Sequence, residues 1–120
     1  MPHQTTRLYG VGFVTNASHV DKLCTILKPV DLFDQAMEWF ATPRGIAFEL
    51  DGQDIGANYR LHSFSGQLAI TFLPDHDIGQ AEFDKHRRQA AAISPALVCF
   101  PIRPFNTTEE YLAQLVDKFF

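Results

Sequence analysis

Between Arg7 and Asn16 the chain reads RLYGVGFVTN, which is apolar on both faces of an extended backbone. Leu8, Gly10, Gly12 and Val14 would share one face, with Tyr9, Val11 and Phe13 on the other. That pattern predicts an interior strand covered on both sides. The glycines at 10 and 12 mark a place where a backbone or a ligand can approach closely. They do not form a dinucleotide fingerprint, because the pair lies inside the strand and no third glycine opens the next helix.

The period then lengthens. In NASHVDKLCTILKP the residues Val20, Leu23, Cys24 and Leu27 recur at helical spacing. Ser18 is the expected cap, Asp21 complements the dipole in the first turn, and Pro29 is the stop. Asp31 precedes LFDQAMEWFAT, where Phe33, Ala36, Met37 and Phe40 repeat that spacing and predict a second helix. AMEWFAT also reads as a strand paired across the turn TPRG.

A period of two follows. GIAFEL is expected to be a strand, DGQDIG a turn-rich connection, and NYRLHSF and QLAITFL two strands joined by a hairpin at Ser65-Gly66. In QLAITFL, Leu68, Ile70 and Phe72 face one way, and Pro74 ends the strand. IGQAEFDKHRRQAAAI predicts a helix ending near Ser94-Pro95. ALVCFPI predicts a short buried strand, with Pro101 marking an irregular end or an edge. The last segment, NTTEEYLAQLVDKFF, starts with a capping box formed by Thr107 and Glu110. It continues with a core-facing stripe of Tyr111, Leu112, Leu115, Val116 and Phe119.

The order is therefore β-α-α-β-β-β-α-β-α. It predicts an α/β (α+β) protein, a single globular domain over 1–120, with a mixed, mostly antiparallel sheet of about five strands and helices packed on it. The α-β steps are expected to add parallel neighbours. A ferredoxin-like split β-α-β with an extra strand is one topology that fits. The same order resembles the first part of the acetyltransferase fold that uses acetyl-coenzyme A, but the likeness ends at element order. That family holds pyrophosphate in a loop (Q/R)-x-x-G-x-(G/A). The equivalent stretch here, PDHDIGQAE, has Gly79 alone, His76 three positions earlier, and two aspartates facing where a polyanion would lie. No cofactor is expected.

A chain of 120 residues can bury a substantial core, and 46% hydrophobic with 20% charged residues is a globular composition. Eleven phenylalanines predict either a dense core or a core plus an exposed patch. The net charge of −4 and the pI near 5.6 argue against nucleic acid, since the one basic cluster, Lys85, Arg87 and Arg88, follows Glu82 and Asp84 directly. Cys24 and Cys99 lie in apolar runs and read as buried thiols. MPHQTTRLYG has no apolar signal core, and nothing reaches the roughly 18 apolar residues that span a bilayer, so a reduced, soluble, cytoplasmic protein is expected.

Candidate chemistry is thin. Asp75, His76, Asp77 and Glu82 crowd the entrance to the third helix, and Glu82 and His86 are spaced as metal ligands on one helix face. Helix electrostatics explains the same residues, with Asp77 as cap, acids early and bases late, so no metal is expected. The clearest asymmetry runs from Lys28 to Asp54, where Asp31, Asp34, Glu38, Glu49, Asp51 and Asp54 face only Lys28 and Arg44. With Trp39 among them, Asp31, Asp34, Glu38, Asp51 and Asp54 are the expected contacts for a protein partner with a basic surface. Asp75, His76, Asp77 and Glu82 form a possible second surface. The expected function is a small acidic, non-catalytic protein-binding module, such as an inhibitor or immunity protein that neutralises a bacterial toxin. Two alternatives stand beside it. One is a small transferase or metal-assisted hydrolase using His62, His76 or His86 with nearby carboxylates. The other is an oligomerising structural subunit.

Overall fold

The computed structural model describes residues 7–41, 53–56, 58–64 and 66–119, with backbone only at Ala17, Trp39, Phe40, Ala41, Gln53, Phe64 and Phe119. GIAFEL, Glu49, Asp51 and the side chain of Trp39 lie outside the described residues.

Among the described residues five strands form one sheet: β1 (Gly10–Asn16), β2 (Gln53–Gly56), β3 (Tyr59–Phe64), β4 (Gln67–Phe72) and β5 (Val98–Ile102), in spatial order β2-β3-β4-β1-β5. Four helices accompany them: α1 (Val20–Leu27), α2 (Phe33–Ala41), α3 (Gln80–Ile93) and α4 (Thr108–Phe119). Every pairing is antiparallel, so the parallel neighbours expected from the α-β steps do not occur. The reason is topological. β1 and β3 do run parallel, as do β4 and β5, but each pair has an antiparallel strand inserted between its members. That is the split β-α-β of the ferredoxin-like arrangement, with β2 added at one edge.

The strand β2 corrects the sequence reading of DGQDIG as connection. Gln53 and Asp54 pair with Leu61 and Arg60, and a bulge between Asp54 and Gly56 turns Ile55 into the core, where it is 2% exposed. Gly56, at φ +115°, adopts a backbone that a β-carbon would strain, and the position is hemmed in by Leu32 and Gln35. The turn residues that suggested a loop are the ones that make this bulge.

Both faces of the sheet are covered. Val11, Phe13, Leu61, Leu68 and Ile70 meet Leu23 and Leu27 of α1, Ala36 of α2 and Ala90 of α3 on one face. Val14, Ala69, Phe100 and Ile102 meet Tyr111 and Leu115 of α4 on the other. Strict alternation along β1 breaks at its start. Tyr9 sits in a bend, donating its N–H to Ile102 O (2.8 Å), while Leu8 forms a two-way bridge with Ile78. Leu8 therefore joins the core of Val11 and Phe13, and Tyr9 joins that of Val14, the reverse of the simple alternation.

Two expected caps and one stripe position also differ. Ala17–His19 forms a 3-10 turn ahead of α1, and no side-chain cap from Ser18 closes that helix. Met37, placed on the α2 core stripe by spacing, is 44% exposed although its sulfur lies 3.6 Å from Cys24 Sγ, while Leu32 and Ala36 are buried. Gly79, not Asp77, is the N-cap of α3. The capping box of α4 is present in shifted form. Glu110 N–H donates to Thr107 Oγ1 (3.1 Å), and the Glu110 carboxylate reaches back to the N–H of Asn106 (2.7 Å). Pro101 lies in β5, an edge strand, where a missing N–H is tolerated.

The close approach expected at the glycines is real and internal. A β-carbon on Gly12 would fall against the Phe100 ring, and one on Gly10 against the carbonyl oxygen of Phe72. Gly12→Ala is expected to cost about 1–3 kcal/mol as an overpacking change. Combined with Phe100→Leu it should cost less than the sum of the two single changes, because the smaller side chain relieves the overlap. Urea unfolding of the four proteins measures this, and additive losses would contradict the contact.

Candidate functional site

Four of the six acids of the Lys28–Asp54 stretch fall on described side chains, and all four are exposed: Asp31, Asp34, Glu38 and Asp54. Asp34 and Glu38 stand one turn apart on α2, with the exposed Met37 beside them on the same face. Asp31 has φ +60°, a left-handed conformation that aspartate tolerates better than most residues. Asp54 lies on β2 and pairs with Arg60 (Nε–Oδ1 3.1 Å). That contact meets the distance of an ion pair but not the angle of a hydrogen bond.

The second group gathers at the entrance to α3. Asp77 is held by Arg7 (Nη2–Oδ2 2.6 Å), so it anchors the first described residues to the loop and does not cap the helix. His76 turns to Glu82 in the first turn of α3 (Nε2–Oε1 3.3 Å). Asp75, His76 and Asp77 line a shallow cavity of about 290 Å³ with Tyr9, Pro74 and Phe105. Glu82 and His86, the pair spaced for metal, diverge in use. His86 is tucked against Phe13 and Phe72, with ring centroids 6.2 and 5.9 Å away, and burial lowers its pKa although Glu82 acts the other way. Among the described residues no group of three His, Cys, Asp or Glu side chains is arranged to hold a metal ion.

The three candidate histidines are not brought together. His76 is on the rim, His86 is on the helix-rich face, and His62 is buried beneath α4 at 1% exposure. His62 belongs to a polar cluster that sequence reasoning missed. Its Nε2 lies 2.7 Å from Tyr111 Oη, which lies 2.6 Å from Thr71 Oγ1. One hydroxyl hydrogen can pass either way along this chain, so the tyrosine both donates and accepts. Burial raises the Tyr111 pKa, while the Thr71 bond and nearby Arg60 oppose the rise. His62 and Thr71 do stand on the same face of adjacent strands, but only the fold brings Tyr111 over them. The arrangement is that of a buried structural peg.

Another cavity, about 470 Å³, opens between α1 and α3 on the opposite face. Its floor is Phe13 and Tyr59, and its mouth carries Lys85, His86 and Gln89. The basic residues of α3 are otherwise local in their use, as Arg87 pairs with Asp84 (3.1 Å) one turn back. The cysteines are free. Burial raises the Cys24 pKa and pushes Cys99 up to about 12. No helix among the described residues is long and apolar enough to cross a membrane.

Comparison with protein-family models, with curated proteins and with solved structures finds no match. Residues and geometry therefore carry the functional case.

Tyr111→Phe is expected to destabilise the protein by about 1–3 kcal/mol, since it removes the shared partner of two buried polar groups. Adding Thr71→Val should recover part of that loss. A chemical-denaturation series tests it, and a neutral Tyr111→Phe would contradict the peg. The thiols give a pH signature. Cys99 has a raised folded-state pKa, so its contribution is complete below about pH 9 and fades as pH climbs toward 12. Cys24, Tyr59 and Tyr111 are also raised and act with the same sign. Unfolding free energy should fall above about pH 9, less steeply in Cys99→Ala. An unchanged slope in that variant would show that the thiol is not held protonated by burial.

Proposed function

We propose that this chain is a non-catalytic binding module whose α2 face engages a protein with a basic surface. The observation that carries this reading is the composition of one helix face. Met37, a large apolar side chain 44% exposed, stands one turn from the exposed Asp34, which is itself one turn from the exposed Glu38. An apolar centre with a charged rim is the usual anatomy of a protein interface, and methionine adapts its shape to what it meets. Asp31 at the start of the helix and Asp54 on the neighbouring edge strand extend the acidic rim. The separation of His62, His76 and His86 takes weight from a catalytic reading. Small inhibitors and immunity proteins that neutralise a basic toxin have this profile, and a cytoplasmic setting suits two free, protonated thiols.

The residues to change are Asp34 and Glu38. Both stand on α2 itself, one turn apart, on the face assigned to the partner. Affinity capture from the native host with the parent chain supplies the partner. Binding rates are then compared for parent and Asp34→Lys/Glu38→Lys. Association of the variant should be roughly tenfold slower at low ionic strength. The gap should narrow at about 0.3 M salt, where the attraction is screened. Exposed charges contribute under about 1 kcal/mol each to folding, so the variant should unfold at nearly the parent's denaturant midpoint. A folded variant that associates as fast as the parent at low salt overturns the proposal.

A further inference from the structure

The crevice between α1 and α3 has features that a packing defect does not need. Its floor reaches the sheet at Phe13 and Tyr59, which are 3% and 8% exposed, so it runs from solvent to the core. One wall is apolar, with Ile26 of α1 followed by Pro29 and Val30, the last 42% exposed at the lip. The other wall is α3, which presents Ala90, Ala92 and Ile93 where a larger residue would close the gap. Room on this face is thus set by small side chains at chosen positions. Its volume of about 470 Å³ lies within the range of about 300–1,000 Å³ typical of small-molecule sites.

Charge is distributed unevenly around it. The chain has 14 acids against 10 bases, yet among the described residues lining the crevice none is a carboxylate. Lys85 supplies the formal positive charge at the mouth, and Gln89, one turn on, offers an amide beside it. His86 lies between them, with its ring against Phe13 and Phe72. An apolar shaft with a cationic and amide-bearing mouth selects a ligand with an apolar body and one anionic end.

We propose that the α1–α3 crevice is a binding site for a small amphipathic carboxylate, with its hydrocarbon body against Phe13, Ile26 and Ala90 and its head group at Lys85 and Gln89. The site is separate from the acidic α2 face, and either proposal can fail without the other.

The probes are octanoate and octylamine, which share a chain and differ in the sign of the head group. Calorimetric titration of the parent protein with octanoate should give saturable one-to-one binding, with amide shifts in nuclear magnetic resonance spectra centred on Thr25, Ile26, Ala90 and Ile93. Octylamine should bind about tenfold more weakly, and Lys85→Glu should reverse that order. Ala90→Leu fills the shaft and should abolish binding of both probes. Ala92→Leu, nearer the surface, gives a second blocking variant should Ala90→Leu not fold. The proposal is overturned if octanoate fails to saturate at about 10 mM. Equal binding of the two probes by the parent overturns it, as do shifts that map away from the crevice.

Discussion

The rest of the structure depends on one constraint: β1 is buried on both faces. It lies between β4 and β5, and each of its sides faces a packed layer. Val11 and Phe13 root the larger core, so that side takes bulk. The opposite side takes almost none at Gly12, because the Phe100 ring occupies the space where a β-carbon would be. The alternation of bulky and absent side chains along one strand therefore decides how far each helix layer can approach. Close packing makes such a strand intolerant of added volume, since interiors have few voids in which to absorb it.

The two faces solve their packing differently. The face with α1, α2 and α3 is held by aliphatic and aromatic contacts, and it leaves a crevice where α3 turns small residues toward α1. The other face has, among the described residues, α4 alone to cover it, and places the hydroxyl of Tyr111 between His62 and Thr71. Apolar contact alone would let a lone helix slide or rotate with little loss. A buried hydroxyl that must meet two partners 2.6 and 2.7 Å away fixes both register and rotation. Missing either partner would leave a buried polar group unsatisfied, which costs more than the bond itself contributes. The peg thus selects one docking geometry more than it adds to total stability.

Element type and order were legible because they depend on local periodicity. The 3.6-residue stripe of Leu23, Cys24 and Leu27 and the two-residue alternation of Leu68, Ile70 and Phe72 each declare a buried face without reference to anything distant. What was not legible depends on pairing. The antiparallel insertion of β4 between β1 and β3 leaves no mark within any one segment. The strand at Gln53–Gly56 was hidden because its glycine and aspartate are turn residues by composition and bulge residues in place. Asp77 looked like a cap because short acids before a helix usually are, yet Arg7, 70 positions away, claims it. The buried polar cluster was hidden in the same way: His62 shows its strand neighbours in sequence, but Tyr111 reaches it only from a helix 49 residues later.

Net charge was the weakest guide, and the structure explains why. A value of −4 sums over surfaces that never see one another. Carboxylates collect on α2 and at the β2 edge, where Asp34, Glu38 and Asp54 face solvent. On α3, Glu82 and Asp84 occupy the first turns while Lys85 reaches the crevice. At physiological salt the Debye length is about 8 Å, so a ligand at one of these places is screened from the others. The proposed partner at α2 would meet an acidic rim, and the proposed small molecule beside Lys85 would meet a cation over an apolar shaft. One acidic chain can therefore carry sites for opposite charges, provided that each is built from residues of its own helix face.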